Sequence, residues 1–273
     1  DVPAVFATSG PMLPLVSSAH KKAARERFLK GLIGEATLVE EGLKFYPCAG
    51  VCPFYGTANT MLTVCEALGM MAPGDATAIA GSAERLARSE AAGALAVELA
   101  QKQKRPRSIM SKSAFVNAIR VALATGGSLN AFLHLPAIAA EASIDVTWKD
   151  FDRLSRETPL LCGLVPSGNH TAADLHLAGG VPAVMKALGG LVEGDSQVVT
   201  GHTWAEMLSS VSVSASHPDV IHTIDDPLMP EGGVAVLYGS LAPQGALVKQ
   251  SAVPCDMQVF SGPARVFDSE EEC

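Results

Sequence analysis

Pro47-Cys48-Ala49-Gly50-Val51-Cys52-Pro53-Phe54-Tyr55-Gly56-Thr57-Ala58-Asn59-Thr60-Met61 places two thiols in a loop broken by Pro47, Gly50, Pro53 and Gly56. Apolar residues then recur at Met61, Val64, Cys65 and Leu68, the spacing of one helix face. A thiol loop that feeds a helix start suits a metal cluster, because the free N–H groups of the helix end favour an anionic thiolate. The Cys-x3-Cys spacing is weak on its own. A radical-type cluster loop needs a third thiol where Tyr55 stands, and a zinc site needs two further near ligands, which the neighbouring sequence lacks. The bland alternative is a pair of buried cysteines in a glycine-rich loop.

Upstream of this stretch, the apolar run 2–7 predicts a short buried strand entering a Gly10-Pro11 loop. Residues 18–45 read as helical, with interruptions near Gly31 and Gly34. Downstream, Pro73-Gly74 is the expected stop of the helix after the thiol loop. A long helix is predicted over 83–103, with Leu86, Ala87, Ala94, Leu95 and Leu99 facing inward. Another covers 112–125, from Ser113 as cap to the Gly126-Gly127 stop. Residues 129–142 continue as helix, with Pro136 kinking it or lying in its first turn. A short acidic helix at 148–156 and two more between 171 and 190, parted at Gly179-Gly180, complete the helical portion.

The texture changes after Pro227. Short apolar runs at 234–238, 246–249, 258–260 and 264–267 with Gly and Pro between them predict β structure. A boundary near 217–232 follows, dividing the chain into 1–225 and 226–273. Four short strands are close to the lower limit for a sheet that stands alone.

Composition narrows the function. The chain has 273 residues, 48% apolar and 18% charged, which excludes disorder and coiled coil and allows a large core without staples. The net charge of −8 argues against nucleic-acid binding, which needs clustered cations. The one basic cluster, His20-Lys21-Lys22 with Arg25 and Arg27, reads as a solvated helix face. No apolar run is long enough to span a membrane. Six cysteines, at 48, 52, 65, 162, 255 and 273, form no disulfide pattern and suit a reducing, cytoplasmic setting. The chain opens at Asp1 with no signal-peptide pattern, and because it does not open at Met an organellar signal further upstream is not excluded.

Other constellations are weaker. Gly126-Gly127-Ser128-Leu129-Asn130 joins two helices, and its glycines allow close approach of a ligand. The plain alternative is a helix stop followed by a capping serine. A nucleophile elbow needs Gly at position 130, where Asn stands. A Ser-Lys amidohydrolase would need Lys112 within reach of Ser128. His134, His170, His176 and His202 are scattered, and Asp150 and Asp152 point different ways on a helix. The run 268–272 reads as a solvated helix start.

Taken in order, these pieces resemble the dihydroxy-acid and phosphogluconate dehydratase family. The matching residues are Gly10-Pro11-Met12-Leu13-Pro14, Cys52 through Met61, Glu66-Ala67-Leu68-Gly69-Met70, and Phe115-Val116-Asn117-Ala118-Ile119. They continue with Gly126-Gly127-Ser128-Leu129-Asn130, Pro166-Ser167-Gly168, Ala178-Gly179-Gly180-Val181-Pro182-Ala183, Leu241-Ala242-Pro243-Gln244-Gly245-Ala246 and Gly262-Pro263-Ala264-Arg265-Val266-Phe267. The resemblance covers essentially the whole chain. It implies an α/β fold, with a large α/β N-terminal dehydratase domain, incomplete here, and the start of a truncated C-terminal β-barrel.

The implied reaction dehydrates a 2,3-dihydroxy acid to a 2-keto acid, with branched-chain amino acid biosynthesis as the first setting. A sugar acid such as 6-phosphogluconate is the alternative substrate, and a non-catalytic interaction domain the alternative of another class. The implied cofactors are an iron–sulfur cluster, 2Fe-2S or 4Fe-4S, held by three cysteines, and Mg²⁺. Cys52 matches the third cluster cysteine, and Gly127, Ser128 and Asn130 are the candidate substrate-pocket residues. The other cluster cysteines and the proton-abstracting serine of the family match nothing in this chain. The chain therefore reads as an internal fragment, inactive alone, of an enzyme expected to form homodimers and to act on a small hydroxy acid.

Departures from the family pattern are Leu129 in place of Thr, Ser240 in place of Asn and Leu15 in place of Gly. Phe54-Tyr55-Gly56-Thr57 and residues 249–254 lean towards the phosphogluconate branch, while Glu66-Ala67-Leu68-Gly69 and Leu241-Ala242-Pro243 lean towards the dihydroxy-acid branch.

Overall fold

The structure is a computed structural model and describes residues 1–211 and 217–273. Its helices are α1 (Ser18–Leu29), α2 (Glu35–Phe45), α3 (Thr57–Ala67), α4 (Ala83–Gln101), α5 (Lys112–Ala124), α6 (Ala131–Glu141), α7 (Trp148–Glu157), α8 (Ala172–Leu177), α9 (Gly180–Leu188) and α10 (Trp204–Ser209). The strands β1 (Ala235–Leu237) and β2 (Ala246–Val248) pair antiparallel, with Val236 opposite Leu247. The architecture of the described residues is thus mainly helical with one small sheet, which is compatible with an α/β dehydratase domain.

The helix at the centre is α5. From Ala114 to Ala124 every residue but Val116 is buried, as expected for a helix apolar on all sides. It packs against α3, α6, α7 and α9. Phe115, Ile119 and Leu123 meet Val64, Leu68, Phe132, Phe151 and Trp204 in the main core. Asn117 survives in this interior because its amide is fully used. Its Nδ2 donates to the Glu193 carbonyl and Ser196 Oγ at 3.0 and 2.8 Å, and its Oδ1 accepts from the Glu193 N–H at 2.8 Å. A second core gathers Tyr55, Leu161, Leu164, Leu175, Val184 and Leu188.

Helix starts follow local chemistry. Ser17, Ser82 and Ser111 cap α1, α4 and α5 through their hydroxyls, and Thr147, Thr171 and Thr203 form reciprocal capping boxes with Asp150, Asp174 and Glu206. The cap of α5 is Ser111, two residues earlier than the expected Ser113. Pro136 lies inside α6, past its first turn. Helix α3 ends before Pro73-Gly74: Gly69, at φ +88°, closes it, and an added Cβ there would sit 2.3 Å from the Gln197 carbonyl oxygen. The Trp204 indole N–H donates to the Ala67 carbonyl at 3.1 Å, and the Val199 N–H to the Gly69 carbonyl at 2.7 Å.

Beside that end lies a buried charge network. Glu66 is wholly buried, and its carboxyl accepts from the Gly74 and Ala76 N–H groups at 2.6 and 2.7 Å. Burial raises Glu66 to about 7 against the pull of those two amides. Asp75 pairs with Arg88 at 3.0 Å, and Arg85 donates to the Asp75 carbonyl at 2.8 Å. This network overturns part of the expected inward face of α4, of which Leu95 and Leu99 do meet the core. Arg85, Ala92 and Leu99 are buried, whereas Leu86, Ala87 and Ala94 face solvent.

Three further expectations fail. Residues 2–7 form no strand: Pro3 has no N–H to give, Val2 and Phe6 are exposed, and the Phe6 N–H is used singly, on the Met70 carbonyl. The runs 258–260 and 264–267 form no strands among the described residues, and Val259, Phe260 and Val266 are exposed. The segment expected to begin a truncated barrel thus shows one two-stranded pair among the described residues. The acidic run 268–272 is turn rather than helix. No helix of the described residues is long and apolar enough to cross a membrane.

Candidate functional site

The thiol loop is fixed to the body from both sides. The Val51 N–H donates to the Gly10 carbonyl at 2.9 Å and the Met12 N–H to the Val51 carbonyl at 2.8 Å, forming a parallel bridge between Pro11 and Val51. Gly10 is obligatory here, because it holds φ +76° and an added Cβ would sit 1.8 Å from the Ala78 carbonyl oxygen. Further along, the Tyr55 N–H reaches the Val165 carbonyl at 2.8 Å, and the Ala172 N–H reaches the Pro53 carbonyl at 3.0 Å.

Cys52 is exposed at the end of this loop, and its thiol's one recorded partner is the Phe54 carbonyl at 3.9 Å. The buried Asn59, in the first turn of α3, donates to the carbonyls of both Cys52 and Phe54 at 2.8 Å. The helix start and the thiol are therefore one rigid unit. Cys48 is also exposed, so the reading of two buried cysteines fails. Tyr55, standing where a third thiol would be needed, is a core residue. Its hydroxyl bonds to Thr63 and Thr125 at 2.5 and 3.0 Å, and burial raises it well above the usual phenol range.

The Gly126–Asn130 turn lies directly on the start of α3. Thr57 Oγ1 bonds to Ser128 Oγ at 3.0 Å and accepts from Asn130 Nδ2 at 2.8 Å, while the Ser128 N–H donates to Thr60 Oγ1 at 3.0 Å. Gly127 permits this approach: an added Cβ would meet the Thr60 methyl at 2.8 Å. Ser128 thus latches its own turn to α3, and is not the cap of α6, whose cap position is Asn130 with no side-chain bond. Leu129 packs against the main core.

A cavity of about 300 Å³ adjoins the same turn. Its wall includes Gly126, Ser167, His170, Asp219, Met229 and Ser251, but not Gly127, Ser128 or Asn130. The hydroxyls of Ser167 and Ser251 are buried without a partner. No Lys or Arg lines it among the described residues. The sequence singled out the neighbouring glycine turn, whereas Ser251, 125 positions after Gly126, entered only within the 249–254 stretch and with no site role.

The other candidates disperse. Lys112 donates to the Asp145 carbonyl and Asp150 at the start of α5, a helix length of roughly 20 Å from Ser128. The Ser-Lys hydrolase reading is thereby excluded. Asp150 serves a capping box and Asp152 pairs with Arg156 at 3.1 Å. His176 bonds to Glu84 and Thr77, and His202 pairs with Glu206.

The donor set for a metal cluster is incomplete in this chain. Burial pushes Cys65 up to about 11 and Cys162 up to about 12, which keeps both protonated. Among the described residues no three metal-capable side chains converge. Cys52 presents one accessible thiol, and a three-thiolate cluster does not fit on these residues alone.

The model for the dihydroxy-acid/6-phosphogluconate dehydratase N-terminal domain matches residues 1–207, and that for the C-terminal domain of the same enzymes matches residues 219–273. The chain is 44% identical to a dihydroxy-acid dehydratase of Nitratidesulfovibrio vulgaris (strain Miyazaki F), over 100% of its own length and 50% of that protein. A dihydroxy-acid dehydratase of Methanosphaera stadtmanae is 42% identical over 100% of the chain and 51% of the relative, and one of Methanothrix thermoacetophila is 44% identical over 100% and 50%. The chain spans about half the length of the curated relatives it matches.

Proposed function

The chain belongs to the dihydroxy-acid/6-phosphogluconate dehydratase family, and from that footing we propose that it is the central portion of a hydro-lyase converting a 2,3-dihydroxy acid to a 2-keto acid. The first substrate reading is the dihydroxy acid of branched-chain amino acid biosynthesis. In the reaction the C2 proton and the C3 hydroxyl leave as water, and the resulting enol becomes the ketone. The observation that carries the reading is the rigid presentation of the exposed Cys52 at the start of α3, on a chain 44% identical end to end to a named dihydroxy-acid dehydratase.

The family's iron–sulfur cluster, with Mg²⁺, would supply Lewis-acid activation of the departing hydroxyl. These residues alone do not complete that cluster, so this chain's own share is positional. Asn59 holds the Cys52 turn, Gly127, Ser128 and Asn130 hold the adjoining wall, and the apolar packing beneath keeps both rigid. The division into 1–225 and 226–273, the C-terminal barrel, homodimer formation and a cytoplasmic setting are parts of the same proposal.

A sugar acid is the second reading. The cavity supports it with four polar side chains for sugar hydroxyls, Ser167, His170, Asp219 and Ser251, set among Leu160, Leu164, Leu228 and Met229.

The test uses the longer polypeptide that contains this chain, purified without oxygen. It should form 2-keto acid from dihydroxyisovalerate or from 6-phosphogluconate, and the preferred substrate decides between the two readings. Cys52→Ser should abolish the visible iron–sulfur absorbance and turnover together. Retention of both would remove Cys52 from the site, and turnover of neither substrate would leave the interaction-domain reading.

A further inference from the structure

Lys21 projects from α1 into a cage of three aromatic rings. Its ammonium lies 4.4 Å from the ring centre of Phe54, 4.6 Å from that of Tyr46 and 5.2 Å from that of Phe45. It also donates to the Tyr46 hydroxyl at 2.5 Å. The rings brace one another: Phe45 meets Tyr46 edge-on at 5.1 Å and Phe54 at 5.3 Å. A charge over a ring face is attracted by its quadrupole, and partial desolvation strengthens the attraction. Phe54 and Phe45 act in this way, while Tyr46 holds the ammonium at its hydroxyl edge by a hydrogen bond. None of the three rings belongs to α1. Phe45 ends α2, Tyr46 follows it, and Phe54 sits two residues beyond Cys52.

The cage therefore grips both ends of the thiol loop, at Tyr46 and at Phe54. Asn59 holds the Cys52–Phe54 turn through two carbonyls from the α3 side, and Lys21 holds it through the Phe54 ring from the α1 side. We propose that Lys21 is a positioning residue for the Cys52 loop, its caged ammonium fixing the turn that presents the thiol. The proposal takes from the functional reading only that Cys52 is the working thiol, and its test uses no turnover, so the two can fail separately.

The experiment compares the protein with Lys21→Ala and Lys21→Arg by hydrogen exchange and by peptide-resolved iodoacetamide labelling. The Val51 and Tyr55 amides, which tie the loop to the Gly10 and Val165 carbonyls, report its opening. The amides of α5 report global opening. In Lys21→Ala the two loop amides should exchange about fivefold faster, with α5 unchanged. The Cys52 labelling rate should shift by about twofold or more while the exposed Cys255 and Cys273 keep theirs. Lys21→Arg, which keeps charge and stacking, should restore both readings. Unchanged loop exchange in Lys21→Ala overturns the proposal. So does faster loop exchange with an unaltered Cys52 rate, or failure of Lys21→Arg to restore. A joint rise of loop and α5 exchange, with the buried Cys162 becoming reactive, assigns Lys21 to general stability and overturns it too.

Discussion

The two ends of α3 are held by opposite chemistry. At its start, Thr57, Asn59 and Thr60 exchange neutral hydrogen bonds with the Cys52 loop and the Gly126–Asn130 turn, and Cys52, Ala58 and Asn130 stay exposed. At its finish, Glu66 is sealed beneath the 72–76 loop and Gly69 presses on the Gln197 carbonyl. The open end trades strong interactions for access, and the sealed end anchors the helix against that freedom. The difference predicts where substitutions hurt: stability resides at the finish, presentation of Cys52 at the start.

The harshest test of that division is Glu66→Ala. It leaves the buried Ala76 amide and the half-buried Gly74 amide without their acceptor, at a cost of about 2–5 kcal/mol. Denaturant melts of the protein should register the loss. A cost below that of any substitution at the helix start would break the comparison.

The pH response of the same residue comes next. Glu66 titrates near 7 in the folded protein, against 4.5 for the unreacted carboxyl. Between these values the folded state binds the extra proton, so its contribution is complete below pH 4.5 and is lost as pH rises through 7. The amplitude is on the order of 3 kcal/mol. Glu66→Gln turns one amide donor toward another and subtracts a constant amount, yet it removes the titration. The difference between wild-type and Glu66→Gln stability should therefore shrink with rising pH. A difference that grows would place the Glu66 carboxyl below, not above, its ordinary range.

The mildest change is Thr60→Val, which preserves shape and deletes the acceptor of the Ser128 N–H. It should cost about 1–2 kcal/mol and loosen the glycine turn on α3, seen as faster exchange of the Ser128 amide with the Gly74 and Ala76 amides untouched. Equal effects at both ends would mean that α3 moves as a single lever.

Helices α1, α4, α5, α7 and α8 were legible because each opens on a serine or threonine cap, and the others before residue 190 by their apolar repeats and the glycines near their ends. Helix α4 shows the limit. It is rich in alanine, so hydrophobicity barely distinguishes its faces, and its orientation is chosen by Arg85 and Arg88 reaching Asp75. The signal was an arginine pair at i and i+3 behind a buried acid, which apolar counting ignores. Beyond 230, alternation alone suggested strands, but Val259, Phe260 and Val266 have no partner surface among the described residues. Strand identity depends on a neighbour, which no run of residues encodes by itself. At the candidate site the sequence pointed to Cys52 and to Gly127, Ser128 and Asn130. The hydroxyl contacts joining Thr57 and Thr60 to Ser128, and the cavity wall at Ser167 and Ser251, arise from residues 68 to 125 positions apart.

The Trp204 indole that seals the end of α3 lies 137 residues after its acceptor, Ala67. A ribosome adding ~5–20 residues per second needs roughly 7–27 seconds to cover that interval. Throughout it, the helix that will present Cys52 has emerged with its last carbonyls uncovered, and closing so long a loop carries an entropic cost that local contacts do not. The sealed end of α3 is therefore completed late in the life of the nascent chain, when α10 docks, whereas the Cys52 loop at the other end waits only for Val165 and Ala172.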